Sequence, residues 1–157
     1  NRNIGLIATS ATVASGSYEK LTAKLMPEAN FTGKGCPLFV PLVEEGWVDT
    51  DVARQVAETY LAELQKVGID SLVLGCTHYP LLLPKIRRFL PSTVKVMAQG
   101  GYVARSLSDY LNRHPEMESR ITCGGTARFL TTEQADAFSQ NASLFLGHPV
   151  QAEHITL

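Results

Sequence analysis

The sequence predicts an α/β fold with a mainly parallel sheet flanked by helices, on three observations. Short apolar runs at residues 3–8, 69–74 and 94–97 alternate with stretches whose apolar residues recur every three or four positions. The run at 69–74 is almost uninterrupted, the pattern of a strand covered on both faces of a parallel sheet. Strand and helix signals follow one another in turn, not as a block of strands and then a block of helices. At 157 residues and 45% hydrophobic, the chain can bury a core, and one compact unit is the starting expectation.

Residues 3–8 read as the first strand, halted by the polar pair Thr9-Ser10. A loop follows, and apolar spacing through Tyr18, Leu21 and Leu25 then predicts a helix, which Met26-Pro27 stops. Gly33 and Gly35 mark a turn, and residues 38–43, with Pro37 and Pro41, read as an irregular apolar stretch. From Asp49 as N-cap, Val52, Val56, Tyr60, Leu64 and Val67 keep helical spacing until Gly68 closes the helix. Residues 69–74 form the next strand and 75–80 a turn, with Pro80 suited to the first position of a helix running to about Phe89. A strand at 94–97 and a helix at 102–111 follow. The tail holds strand candidates at 120–123 and 128–131, a helix at 133–145 and an alternating edge strand at 150–155.

Composition narrows the function. Lys and Arg number 14 against 15 Asp and Glu, a net charge of -1, so the chain carries no electrostatic footprint for nucleic acid or an anionic membrane. Its apolar runs fall far short of the roughly 20 residues of a membrane span. Cys36, Cys76 and Cys123 are odd in number and widely spaced, which suggests neither a disulfide framework nor a zinc site and fits a reducing cytoplasm. No segment has the pattern of a signal peptide. The chain begins without Met and enters an apolar segment at once, as expected of a piece cut from something longer. Neither the dinucleotide nor the P-loop glycine spacing occurs.

Ligands of open α/β sheets lie outside the carboxyl ends of the strands, where Cys76, Thr77 and His78 follow the run at 69–74. The start of the next helix would stabilise a thiolate at Cys76 and attract a carboxylate, and His78 is near enough to donate a proton or support the thiolate. Taken locally, Cys76 serves equally well as a buried structural cysteine. Cys36 and Cys123 have no histidine beside them and read as structural. His114, His148 and His154 read as surface or terminal residues. Thr9 and Thr12, at the same end of the sheet, suit either a carboxylate site or a helix cap. Glu44 is either a solvated surface residue or a partner that keeps a histidine protonated.

The run Leu74-Gly75-Cys76-Thr77-His78-Tyr79-Pro80-Leu81-Leu82 resembles the second cysteine motif of glutamate racemases. Residues 7–12 with Ser15-Gly16-Ser17-Tyr18 are similar to that family's threonine loop, and residues 36–46 resemble its central segment. Residues 129–132, 145–147 and 150–157 keep family order, so the resemblance covers essentially the whole chain. It implies that Cys76 is the acid or base on one face of the substrate Cα, assisted by His78 paired with Glu44. Thr9, Thr12 and Thr77 would hold the substrate's carboxylate and amino groups. Glutamate would be inverted, for peptidoglycan synthesis, by two opposed cysteines without PLP, metal or any other cofactor.

The family's first half, with its own cysteine, has no counterpart in these residues, so the expectation is a C-terminal half that is inactive alone. Met97-Ala98-Gln99-Gly100 departs from the family, which usually has an aspartate and a serine before the helix. Residues 1–97 would form one lobe of a two-lobed fold, and 98–157 would return to the other lobe. The expected partners are therefore glutamate and the missing half, and an apolar face left bare would favour homo-oligomers. Two other readings stand beside this one: a racemase or decarboxylase of the wider superfamily acting on another acid, and a non-catalytic module that binds acidic amino acids or a protein.

Overall fold

The computed structural model describes residues 2–122 and 124–157. Length alone points to one compact unit, but the backbone forms two, residues up to Asp109 and Tyr110–Leu157, each with its own sheet. In the first, β1 (Asn3–Ala8), β2 (Asn30–Gly35), β3 (Ser71–Leu74) and β4 (Lys95–Ala98) pair in the order β2-β1-β3-β4. Every pairing is parallel, with Ile7 beside Leu74 and Leu74 beside Ala98. The mainly parallel α/β sheet read from the sequence is present.

Side chains alternate across a strand, so the sheet has two distinct faces. One carries Ile7, Leu72 and Leu74, fully buried against α3 (Phe39–Glu44), α4 (Asp51–Lys66) and α5 (Leu83–Arg88). Phe39, Leu61, Leu64 and Ile86 complete this core, and burying each side chain of that size contributes about 1.5–3 kcal/mol. Leu6, Val73 and Met97, also in register, occupy the opposite face. Leu6 is buried there, but Val73 and Met97 are only half-buried, so β3 is not covered equally on both faces as its apolar run suggested.

Several local expectations are corrected. The stretch read as a loop after β1 holds a short helix, α1 (Ser10–Ala14), and the predicted helix follows as α2 (Ser17–Leu25), the two separated at Gly16, whose φ of 63° is left-handed. Gly33 and Gly35 do not make a turn but belong to β2, whose pairing with β1 satisfies their backbone. A Cβ on Gly35 would lie 3.3 Å from Ser10 Oγ, so these glycines let α1 lie close on the strand. The stretch at 38–43 is helical, because Pro41 falls within the first turn of α3, where an N–H has no intrahelical partner to lose.

Thr50, not Asp49, caps α4: its hydroxyl accepts from the Ala53 N–H at 3.2 Å. The buried stripe of α4 is Ala53, Ala57, Leu61 and Leu64, leaving Val52 and Val67 exposed. The helix expected from Pro80 comes as a 3-10 turn, Tyr79–Leu82, and then α5. α6 (Gln99–Arg113) starts three residues earlier than expected.

The second unit contains α7 (Pro115–Glu118), β5 (Phe129–Thr131), α8 (Ala135–Leu146) and β6 (Ala152–His154), with β5 and β6 parallel. Ser139 and Ser143 hydroxyls accept from the Ala152 and Val150 N–H groups, both at 2.9 Å, and so tie α8 to β6. Arg128 grips Glu153 with two bonds, which holds that carboxyl below the usual carboxylate range. Residues 120–122 belong to no strand, and Cys123 lies outside the described residues. No helix among the described residues is long and apolar enough to cross a membrane.

Burial pushes the Cys36 thiol from 9.0 up to about 12 and raises Tyr79 as well. The unfolded chain releases these protons at lower pH than the folded one. Stability is therefore complete below about pH 9 and falls as pH rises toward 12, by about 1.4 kcal/mol per pH unit for each group. Urea unfolding across pH 8–12 should show the decline, with a shallower slope in Tyr79→Phe than in the parent chain.

Candidate active site

β3 ends in a close approach that leaves room only for glycine. Gly75 donates its N–H to the Ile7 carbonyl at 2.8 Å. A Cβ at this position would meet Leu6 Cδ1 at 2.7 Å, Ala8 Cβ at 3.0 Å and the Ile7 oxygen at 3.2 Å. Cys76 follows at the carboxyl end of β3, half-buried and with a free thiol. The next turn is anchored from below, since Tyr79 is fully buried and its hydroxyl donates to the Cys36 carbonyl at 2.8 Å.

Between Gly75 and Tyr79 the His78 ring stands among three other predicted residues. Its Nδ1 lies 3.9 Å from Cys76 Sγ and 3.3 Å from Thr77 Oγ1, and its Nε2 lies 3.3 Å from Glu44 Oε1. Glu44 is the last residue of α3, half-exposed, whereas His78 is mostly covered. With its proton on Nε2, aimed at the carboxylate, the ring leaves Nδ1 free to accept from the thiol or from the Thr77 hydroxyl. Once doubly protonated, it donates on both sides. The arrangement gives a path for a proton between the Cys76 thiol and the imidazole.

The helix contribution is smaller than expected, because the element after Cys76 is a four-residue 3-10 turn and carries little macrodipole. His78 is the partner of the sulfur. Thr9 and Thr12 bond to each other: Thr9 Oγ1 accepts from the Thr12 N–H at 3.3 Å, and the hydroxyls share a 2.9 Å bond. Thr9 thus serves as the N-cap of α1. Thr12 borders a cavity of about 140 Å³ with Tyr18, Phe31 and Gly33, whereas Cys76 and Thr77 line another of about 210 Å³.

Gln99 and Gly100 line the Cys76 cavity and are absent from the predicted site. Their signal was positional, since Gln99 immediately follows β4 at the same end of the sheet. Cys36 is buried, as expected, with its thiol directed at the Lys34 carbonyl 3.6 Å away. His148 and His154 are exposed, and His114 stacks on Tyr110. Among the described residues, no group of three or more His, Cys, Asp or Glu side chains is placed to hold a metal ion.

No family model matches the chain. It is, however, 38% identical over 144 residues to a glutamate racemase of Geobacter metallireducens, a match covering 92% of this chain. Identity to the glutamate racemase of Shouchella clausii is 41% over 146 residues and 93% of the chain. The crystal structure of a glutamate racemase isoform from Bacillus anthracis superposes on 99% of the chain with a TM-score of 0.85 and 30% identity. By sequence and fold, the chain is similar to the glutamate racemases along its whole length. It spans about half the length of these relatives, 53% and 52% of the two sequences and 57% of the solved chain. The glutamate racemase from Francisella tularensis, solved in complex with D-glutamate, also covers the whole chain, with a TM-score of 0.83 and 29% identity.

Gly75→Ala forces a methyl group against Ala8 and the Ile7 carbonyl, neither of which can swing aside. The expected cost is about 1–3 kcal/mol, typical of overpacking a well-filled core. Denaturant unfolding reads this cost. The displaced strand end should also lengthen the contact between Cys76 and His78, seen as a changed rate of thiol alkylation.

Proposed function

We propose that the chain is the part of a glutamate racemase that works one face of the substrate. The observation that carries the proposal is His78 held between Cys76 and Glu44 at the carboxyl end of β3. The Cys76 thiolate removes the α-proton from one enantiomer, and the electron pair is delocalised toward the substrate carboxylate. A second cysteine, supplied by the remainder of the relatives' length, gives its thiol proton to the opposite face. Cys76 is then a thiol, the other cysteine a thiolate, and the reverse reaction runs the same path. No PLP or metal takes part. Thr77, Thr9 and Thr12 hold the carboxylate and amino groups, which their hydroxyls and neighbouring N–H groups suit.

The remaining half is the partner of this chain, and the segment from residue 98 onward packs with it. The bare helix face supports this, since α6 buries none of its residues while Tyr102, Val103, Leu107 and Tyr110 are exposed. Alone, the chain is inactive and prone to associate with itself through that face. The superfamily reading keeps the proton transfer but changes the acid on which it acts, and the binding-module reading leaves Cys76 and His78 without it.

The test is α-proton exchange of L- and D-glutamate in D2O, with the chain as it stands and extended to its relatives' full length. Exchange and racemisation are expected only from the extended protein, with Cys76→Ala reducing turnover by at least about 10²–10⁴-fold. A folded, extended protein that exchanges neither isomer rejects glutamate racemisation. Exchange of another acidic amino acid in its place selects the superfamily reading, and binding without exchange the binding module.

A further inference from the structure

We propose that Gln99 and Tyr18 form a clasp over the Cys76 cavity, which makes Gln99 a positioning residue of the proton transfer; this rests on the racemase reading above. The Gln99 side-chain amide donates to the Tyr18 hydroxyl. Tyr18 lies in α2, on the connection that leaves β1, and Gln99 is the first residue after β4. β3, which delivers Cys76, lies between β1 and β4 in the sheet. The hydrogen bond therefore joins helices that follow the two strands on either side of β3.

Gln99 is also a shared wall. On one side it lines the cavity of Cys76 and Thr77. On the other it lines an apolar trough of about 280 Å³ with Val73, Met97, Tyr102 and Val103. Tyr18 in turn borders the cavity that holds Thr12. The bond thus fixes the side chain that lies between the Cys76 cavity and the trough and ties the Thr12 segment to it. Both effects serve removal of a weakly acidic Cα proton, which needs water kept away and the substrate held in register with the sulfur.

The clasp is built to open. Gln99 is exposed, so water competes for its hydrogen bond. The next two residues, Gly100 and Gly101, weaken the first turn of α6, since glycine is the poorest helix former after proline. A Cβ at Gly100 would touch nothing within 4 Å, and neither glycine has a positive φ, so close packing does not demand glycine at 100. An easily unwound first turn lets Gln99 release Tyr18 and admit the substrate.

Gln99→Ala, Tyr18→Phe and the double variant test the clasp through alkylation of Cys76 by iodoacetamide, located by peptide mass. Each single change should raise the rate by about three- to tenfold, the range set by the net worth of one hydrogen bond, and the double variant should exceed neither. Tyr18→Phe keeps the ring and guards against failure to fold. In the extended protein, the same variants should lower kcat by about three- to tenfold with KM changed less than kcat. A merely structural role would lower the melting temperature and the active fraction, yet leave kcat per titrated site unchanged. Unchanged alkylation, or single effects that multiply in the double variant, would overturn the clasp. If the extended wild-type protein turns over no glutamate, the racemase reading falls and alkylation alone decides the clasp.

Discussion

A tyrosine hydroxyl leaves water at a cost unless it finds an acceptor, and the buried Tyr79 finds one in the Cys36 carbonyl at 2.8 Å. That bond joins the segment after β2 to the segment after β3, two strands that are not neighbours because β1 runs between them. The Tyr79 ring meets Phe39 edge to face, centroids 5.1 Å apart, at the residue where α3 begins. The position of α3 is therefore set by the same side chain that pins the turn after Cys76. At the end of this six-residue helix, Glu44 arrives beside His78. The exposed polar contact depends on a buried one, since nothing in an exposed carboxylate and a mostly covered imidazole would hold them together by itself.

How much of this was legible in the residues follows from the range of each signal. Periodicity reports on the local chain, so β1, β3, β4, α4 and α8 were visible as apolar runs or helical stripes. β2 was not, because Asn30–Gly35 has two glycines and little apolar pattern, and it is a strand only through its pairing with β1. α3 was hidden by Pro41, whose first-turn position cannot be known until the helix start is known. The cysteine site was legible from the strand preceding it and from a long family motif. Its internal distances were not, since Glu44 and His78 are 34 residues apart and meet through Tyr79. Gln99 stood in the sequence as a departure from the family pattern, and its contact with Tyr18, 81 positions away, has no local signature.

The two faces of the sheet differ in how completely this chain covers them. On the α3–α5 side, Leu72, Leu74 and Ile7 are sealed, and the core is continuous through Leu61, Leu64 and Ile86. On the other side Val73 and Met97 open into the apolar trough beside Tyr102 and Val103. Apolar area left in water contributes no stabilisation, at about 25 cal/mol for each Å² that remains unburied. Stability in the first unit therefore rests mainly on one face, which also carries the anchors of Cys76 and His78. The proposed site can be preformed while the opposite face is only partly covered.

Two thiols among the described residues invite comparison as proton carriers, and only one is suited. Cys76 is half-buried, lines a cavity and has an imidazole 3.9 Å away. Cys36 is sealed in the core, and its desolvated thiol keeps its proton to about pH 12. A group that holds its proton so firmly is almost never a thiolate near neutral pH and so is not available as a base, and one with no surface has no substrate to reach. Nor can one thiol serve both faces of a tetrahedral carbon, because the proton it removes leaves from the side on which it stands. An inversion routed through Cys76 thus requires a donor that Cys36 does not provide. The structural role of Cys36 is instead in its backbone, whose carbonyl receives the Tyr79 hydroxyl and so keeps the reactive turn in place.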